Sequence, residues 1–173
     1  ILIIFALTHL MLGTLQKPSE NALFGGIVAA QDDPSTQLID VVQLRRLLSQ
    51  SVEFREAIAR SQIIITREYW LSGYLAMAIP PDVPNATSLP VASFTVDPRG
   101  HAFWFDQSAW IGENALLISI ADVPQNEFLS EISPYFEHIM PLTEIATQRG
   151  GEDSEIFYLY QAENLISTYP YPY

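Results

Sequence analysis

The chain contains no cysteine. That excludes disulfides, thiolate nucleophiles and cysteine-ligated zinc or iron–sulfur sites. It leaves the compartment open and is compatible with a bacterial periplasm or lumen, where a free thiol is a liability. Basic residues are scarce: 8 Lys and Arg stand against 20 Asp and Glu, a formal charge of −12. Such a balance repels a phosphate backbone, so no nucleic-acid partner is expected. It also disfavours docking on anionic headgroups through the domain's own surface, and its plain role is to keep an apolar domain in solution. No glycine-rich phosphate loop, nucleophile elbow or other cofactor motif occurs, and no cofactor is expected. The three histidines, His9, His101 and His138, are isolated and show no metal-ligand spacing, so no metal ligands are assigned.

What is present is apolar. Hydrophobic residues make up 49% and charged ones 16% of 173 residues, which excludes a disordered tail and fits one domain with a short appendage. The opening segment ILIIFALTHLMLGTLQ is apolar on all sides of a helix. It has no preceding basic region, as a signal peptide would, and Lys17 follows it. It falls short of the roughly 20 residues of a full span. Residues 1–16 are therefore read as the remnant of a truncated transmembrane helix. Residues 17–31 read as a linker, punctuated by Pro18, Gly25 and Gly26; its apolar ALFGGIVAA stretch suits a membrane surface, a partner domain or the domain's own core. Residues 32–173 read as an extracytoplasmic α/β domain.

Within that domain Ser35 or Thr36 is positioned to cap a helix. Leu38, Val41, Val42, Leu44, Leu48, Val52 and Ile58 recur at mostly three and four residues, predicting an amphipathic helix over 37–60 with a break near Ser49–Ser51. Ile63–Thr66 reads as a strand buried on both faces. A helix over 67–79 ends at Pro80-Pro81, and strands are expected at 91–96 and 115–120. Pro124 marks a helix start, with Phe128, Leu129, Ile132, Tyr135 and Phe136 as its apolar stripe and His138 at its end. Residues 142–147 and 156–160 read as strands of a hairpin turning at Arg149–Asp153. STYPYPY reads as a surface tail. Alternating strands and helices predict an α/β three-layer sandwich, with a short, mostly parallel sheet closed by an antiparallel edge hairpin.

The best candidate site is the aromatic segment after the turn Asp97–Gly100. Arg99, His101, Trp104, Asp106 and Trp110 are the candidate substrate-binding residues. Aromatic walls with an arginine and a carboxylate suit a sugar or a lipid phosphate, and the competing reading is that these rings plug one end of the sheet. Asp32-Asp33 and Glu152-Asp153 match no calcium loop and suit helix-start and turn positions. His9 and His138 are read as structural.

Several stretches, in order, resemble the C-terminal region of polytopic glycosyltransferases of the GT-C type, the protein O-mannosyltransferase-like and aminoarabinose-transferase-like membrane enzymes of bacteria. They are Asp33–Thr36 before a helix, Ile63–Thr66 running into Arg67-Glu68-Tyr69, Ser72–Ala76 before Pro80, Gly112–Ile118, Phe136–Thr147, and Arg149-Gly150 followed by Phe157–Tyr160. The likeness spans roughly residues 32–164, with departures at Asn114 and Ala78. It implies inverting transfer of a sugar from a polyprenyl-phosphate carrier to an acceptor, on the extracytoplasmic (periplasmic) face of the cell inner membrane. The family's catalytic carboxylates lie near the N-terminus of the full protein, so no catalytic residue is carried over to this chain. Its partners would be the membrane half of the same protein and, through that half, the lipid-linked sugar and acceptor. The alternatives are a membrane-tethered, non-catalytic periplasmic binding or assembly module and a free-standing α/β enzyme acting on a small molecule.

Overall fold

A computed structural model describes residues 1–17, 21–29, 32–37, 40–121 and 123–172, with the side chains of 36 and 37 left aside. It is mixed α/β. The chain divides into two compact units, residues 1–40 with 146–156 and residues 41–145 with 157–173.

The larger unit begins with two helices, α2 (Val41–Gln50) and α3 (Val52–Arg60). They bury Leu44 and Leu48, then Phe54, Ala57 and Ile58, the one-sided spacing expected of surface helices. The break between them lies where the sequence places it. Ser51 accepts a hydrogen bond from the Phe54 amide at 3.1 Å, capping α3. The expected start of the helix at Gln37 falls instead in a 3-10 turn over 34–37, and Leu38 and Ile39 lie outside the described residues. Ser35 is not its cap, because residues 34–37 form a 3-10 turn of their own.

Strand β3 (Ile63–Thr66) is buried at every position, as is β5 (Ala115–Ile120). β3 pairs in parallel with β5 on one side and with β4 (Val91–Ser93) on the other, setting Ile64 opposite Leu116 and Val91. Helix α4 (Tyr69–Ala78) connects β3 to β4 and stops before Pro80. β5 then pairs antiparallel with β7 (Glu152–Leu165), and β6 (Phe136–Arg149) closes the order β4-β3-β5-β7-β6. Gly150 and Gly151 (φ 62° and 87°) make the turn between the last two strands. Positive φ at both turn residues matches the strand twist and favours glycine.

Three expectations are corrected. The hairpin strands are each 14 residues long, far beyond the apolar runs at 142–147 and 156–160. Pairing carries the ladder through polar stretches, and Pro141 is tolerated because β6 is an edge. Helix α6 (Gln125–Ile132) starts after Pro124 as expected but gives way to a 3-10 turn at Ser133-Pro134-Tyr135. His138 is therefore an exposed strand residue and ends no helix. The tail is also packed rather than free. Tyr169 is only 6% exposed, its ring sits 5.3 Å from Phe94 and 5.1 Å from Tyr135, and Gln107 pairs with both its amide and its carbonyl. Its hydroxyl donates to Glu131 at 3.0 Å, and that of Tyr171 to the Ser93 carbonyl at 2.8 Å.

In the smaller unit α1 (Leu2–Leu12) buries no residue. Among the described residues no helix is long and apolar enough to cross a membrane. β1 (Gln16–Lys17) pairs in parallel with β2 (Val28–Ala29), so the stretch expected as a linker carries a short ladder. Below it lies a polar knot. Asp33 accepts from the Gln16 amide at 2.7 Å and from the Ser35 amide and hydroxyl at 2.9 and 2.7 Å. His9 accepts the Leu15 amide at Nδ1, which leaves Nε2 to donate to Asp33 at 3.1 Å. Arg149 donates to the Ser35 hydroxyl and carbonyl at 2.6 and 2.7 Å. Burial works to raise the Asp33 carboxyl, but the hydrogen bonds from Ser35 and Gln16, with the nearby His9, outweigh it and hold the group below the usual carboxylate range.

Because Tyr169 fills a cluster of rings, Tyr169→Ala is expected to destabilise the larger unit by about 3 kcal/mol, as truncation of a buried aromatic side chain does. Urea unfolding of the variant against the parent checks this. A change within a few tenths of a kcal/mol would return the segment to a surface tail.

Candidate functional site

The site is built on one face of α4. Tyr69, Ser72, Gly73 and Ala76 are spaced at three, one and three residues, so they line up along the helix. They form one wall of a pocket of about 430 Å³. Leu89 and Val91, just before and at the start of β4, form a second wall, and the segment 99–105, which holds the single-turn helix α5 (His101–Trp104), forms the third. Gly73 keeps the first wall open, since a Cβ added there would meet no atom within 4 Å.

The third wall depends on Gly100. A Cβ there would stand 2.4 Å from the Trp104 ring, so any other residue would push the indole from its place over the backbone. Trp104 stays 67% exposed while its ring edge meets His101 at 4.9 Å. Arg99 holds a left-handed backbone (φ 52°). That turns its guanidinium over the Tyr69 ring, 5.0 Å from the centroid, with Asp97 at 3.1 Å. Both charged groups are exposed, so their pairing is weak and the cation remains open to a ligand.

The floor is polar. Ser72 Oγ donates to the Tyr69 carbonyl at 2.5 Å. Its one proton is thereby used, so the 2.6 Å contact with His101 Nε2 is a hydrogen bond donated by the imidazole. His101 Nδ1 is then an unprotonated acceptor, buried and without a hydrogen-bond partner. Burial pulls the His101 pKa below its ordinary value, only partly opposed by the Tyr69 carbonyl. This geometry gives Ser72 no base: the histidine hands it a hydrogen bond rather than taking its proton. The arrangement suits holding a ligand.

Of the five sequence-predicted residues, Arg99, His101 and Trp104 meet in this pocket. Asp106 and Trp110 are not among its lining residues. Asp106 accepts from the Ser108 amide and hydroxyl at 3.0 and 2.6 Å, capping the 3-10 turn Gln107–Trp110. Trp110 packs on Phe105 at 5.5 Å. The sequence reading missed the α4 face; its signal was small or aromatic residues at helical spacing opposite the apolar Leu71, Leu75 and Ala78. Among the described residues no three His, Asp or Glu side chains converge as a metal set would. Comparison with protein-family models, with curated proteins and with solved structures finds no match to this chain.

The buried histidine has a pH consequence. Its folded pKa is lowered, so the unfolded chain, near the ordinary value of about 6.5, takes up a proton first. Its contribution to stability is complete above about pH 6.5 and is lost as pH falls below that toward the folded value. His101→Gln, which keeps a donor for Ser72, is expected to flatten stability against pH in that window. Unfolding free energies from pH 8 to 5 check it; parallel curves for parent and variant would show that the fold does not hold His101 neutral.

Proposed function

We propose that this chain is the C-terminal extracytoplasmic domain of a membrane glycosyltransferase, one that moves a sugar from a polyprenyl-phosphate carrier to an acceptor at the cell inner membrane. In this reading the membrane half performs the chemistry, and the 69–105 pocket holds part of the carrier-linked sugar or the acceptor. The division into a transmembrane remnant (1–16), a linker (17–31) and an α/β domain (32–173) belongs to the proposal. So does the three-layer sandwich, which the complete burial of β3 and β5 supports.

The observation that carries the reading is the pocket's composition. It joins an exposed indole face, an apolar helix wall and a single open guanidinium. Sugar C–H faces and isoprenoid carbons pack on such walls, and a phosphate pairs with an arginine. The absence of a base on Ser72 favours binding over catalysis at this place. The apolar sequence of α1 supports attachment to a membrane.

The test is binding of a short-chain polyprenyl-phosphate sugar, followed through tryptophan fluorescence. Gly73→Leu fills the pocket from its open wall and is expected to weaken binding at least about tenfold without unfolding the chain, because leucine is also the better helix former. Trp104→Ala is expected to weaken it by about tenfold, the scale of one lost aromatic contact. Unchanged affinity in both variants would remove the pocket from the function. Turnover of the ligand by this chain alone would overturn its non-catalytic role.

A further inference from the structure

The loop Leu23–Ile27 is firmly built yet ends in an unprotected phenylalanine. Its base is tied to the residues just after α1: the Leu23 amide donates to the Thr14 carbonyl, and the Ile27 and Val28 amides both donate to that of Leu15, at 2.8, 2.8 and 3.0 Å. Gly26, at φ 74°, packs so closely that a Cβ would stand 2.4 Å from the Gln16 carbonyl oxygen. Between these ties Phe24 adopts a left-handed backbone (φ 56°, ψ 28°) and is 101% exposed. For a bulky residue that conformation costs about 1–2 kcal/mol, and no burial within the described fold offsets it. Ile27 beside it is also exposed.

Helix α1 presents the same chemistry. Its exposed residues Leu2, Ile3, Ile4, Phe5, Leu7 and Met11 surround the axis rather than forming a stripe. A protein groove covers one stripe of a helix, whereas lipid covers all sides. Its two polar side chains are both satisfied internally. Thr8 donates to the Ile4 carbonyl at 2.7 Å, and His9 turns to Asp33. No side chain on the helix asks its surroundings for a hydrogen bond, which suits it to lie in hydrocarbon.

We propose that the Leu23–Ile27 loop is a second membrane contact, inserting Phe24 and Ile27 into the lipid interface beside the emerging end of α1. The occupant is a phospholipid bilayer, and the contact is apolar: a chain of charge −12 gains nothing from anionic headgroups. This rests on the proposal that α1 lies in the membrane. The tie of the loop to Thr14 and Leu15 sets it where α1 ends, the depth at which an interfacial aromatic ring is favoured. The loop would then fix how deeply the helix sits.

The absence of cysteine permits a direct test with single labels. Phe24→Cys, Ile4→Cys and Val42→Cys place an environment-sensitive dye on the loop, on α1 and on the exposed face of α2 in the full chain. Each is read with and without phosphatidylcholine vesicles. The expected result is a blue shift and loss of access to an aqueous quencher at positions 4 and 24, with position 42 unchanged. Phe24→Glu is expected to lower partition into the vesicles by about tenfold, the scale of one apolar side chain returned to water. A label at 24 that stays aqueous while that at 4 enters lipid overturns the loop's role and leaves α1 in the membrane. Labels that both stay aqueous overturn both. A shift at 24 that grows with protein concentration without vesicles assigns the loop to a second copy of the chain and also overturns the proposal.

Discussion

Ile63–Thr66 and Ala115–Ile120 have no solvated position between them. A strand in that situation must be covered on both faces and paired on both edges, or its apolar side chains and backbone groups meet water. The pairing is met by β4 on one side and β7 on the other. Parallel pairing of β3 with β4 forbids a tight turn and requires a crossover. α4 is that crossover, and only two residues separate it from the end of β3. Leu71, Leu75 and Ala78 meet the core, which leaves Tyr69, Gly73 and Ala76 turned another way. The pocket thus follows from the burial of β3: the helix that covers the strand has a second face to offer.

Ionic groups also tie distant elements together. Arg67, at the end of β3, binds Glu127 and Glu131 of α6 at 2.8 and 2.9 Å, and Glu131 also takes the Tyr169 hydroxyl. Burial works to lower the Arg67 pKa, and the two glutamates outweigh it and raise it. The smaller unit repeats the pattern with Asp33 and Arg149. Each ion there would cost several kcal/mol if left alone out of water, so the hydrogen bonds from Gln16 and Ser35 matter as much as the opposite charge. Such knots specify which segments meet more sharply than apolar packing does. Ser35 and Arg149 are 114 residues apart in sequence, yet two hydrogen bonds join them.

Local chemistry was legible and long-range chemistry was not. The isoleucine run of β3, the capped break at Ser51, the helix start after Pro124 and the Gly150-Gly151 turn are all decided within a few residues. The full length of β6 and β7 is decided by pairing, which rescues polar stretches that no periodicity marks as strand. The tail failed as a surface segment because its proline pattern resembles an extended chain, whereas its tyrosines find Phe94 and Tyr135 only in three dimensions. At the site, an aromatic segment near an arginine was readable and gave Arg99, His101 and Trp104. Asp106 and Trp110 share that segment, but the 3-10 turn carries them elsewhere. Tyr69, Ser72 and Gly73 come from a helix some thirty residues earlier, and nothing local connects them to His101.

Charge and apolar area compete at this pocket, and magnitudes decide between them. A chain of −12 opposes an anionic ligand at long range, but at physiological salt such fields fade within about 8 Å. Close in, the relevant charges are Arg99 and its partner Asp97. That exposed pair is worth at most about 1 kcal/mol and is easily exchanged for a phosphate. Burying apolar ligand surface contributes about 25 cal/mol per Å², so even 100 Å² laid on Trp104 and the α4 wall exceeds the ion pair. On the proposed function, the walls set affinity and Arg99 sets which end of the amphiphile lies at the mouth. The same ordering holds at the opposite extreme of the chain's chemistry. There α1 and Phe24 expose apolar surface with no charge among them, and only the area term is available.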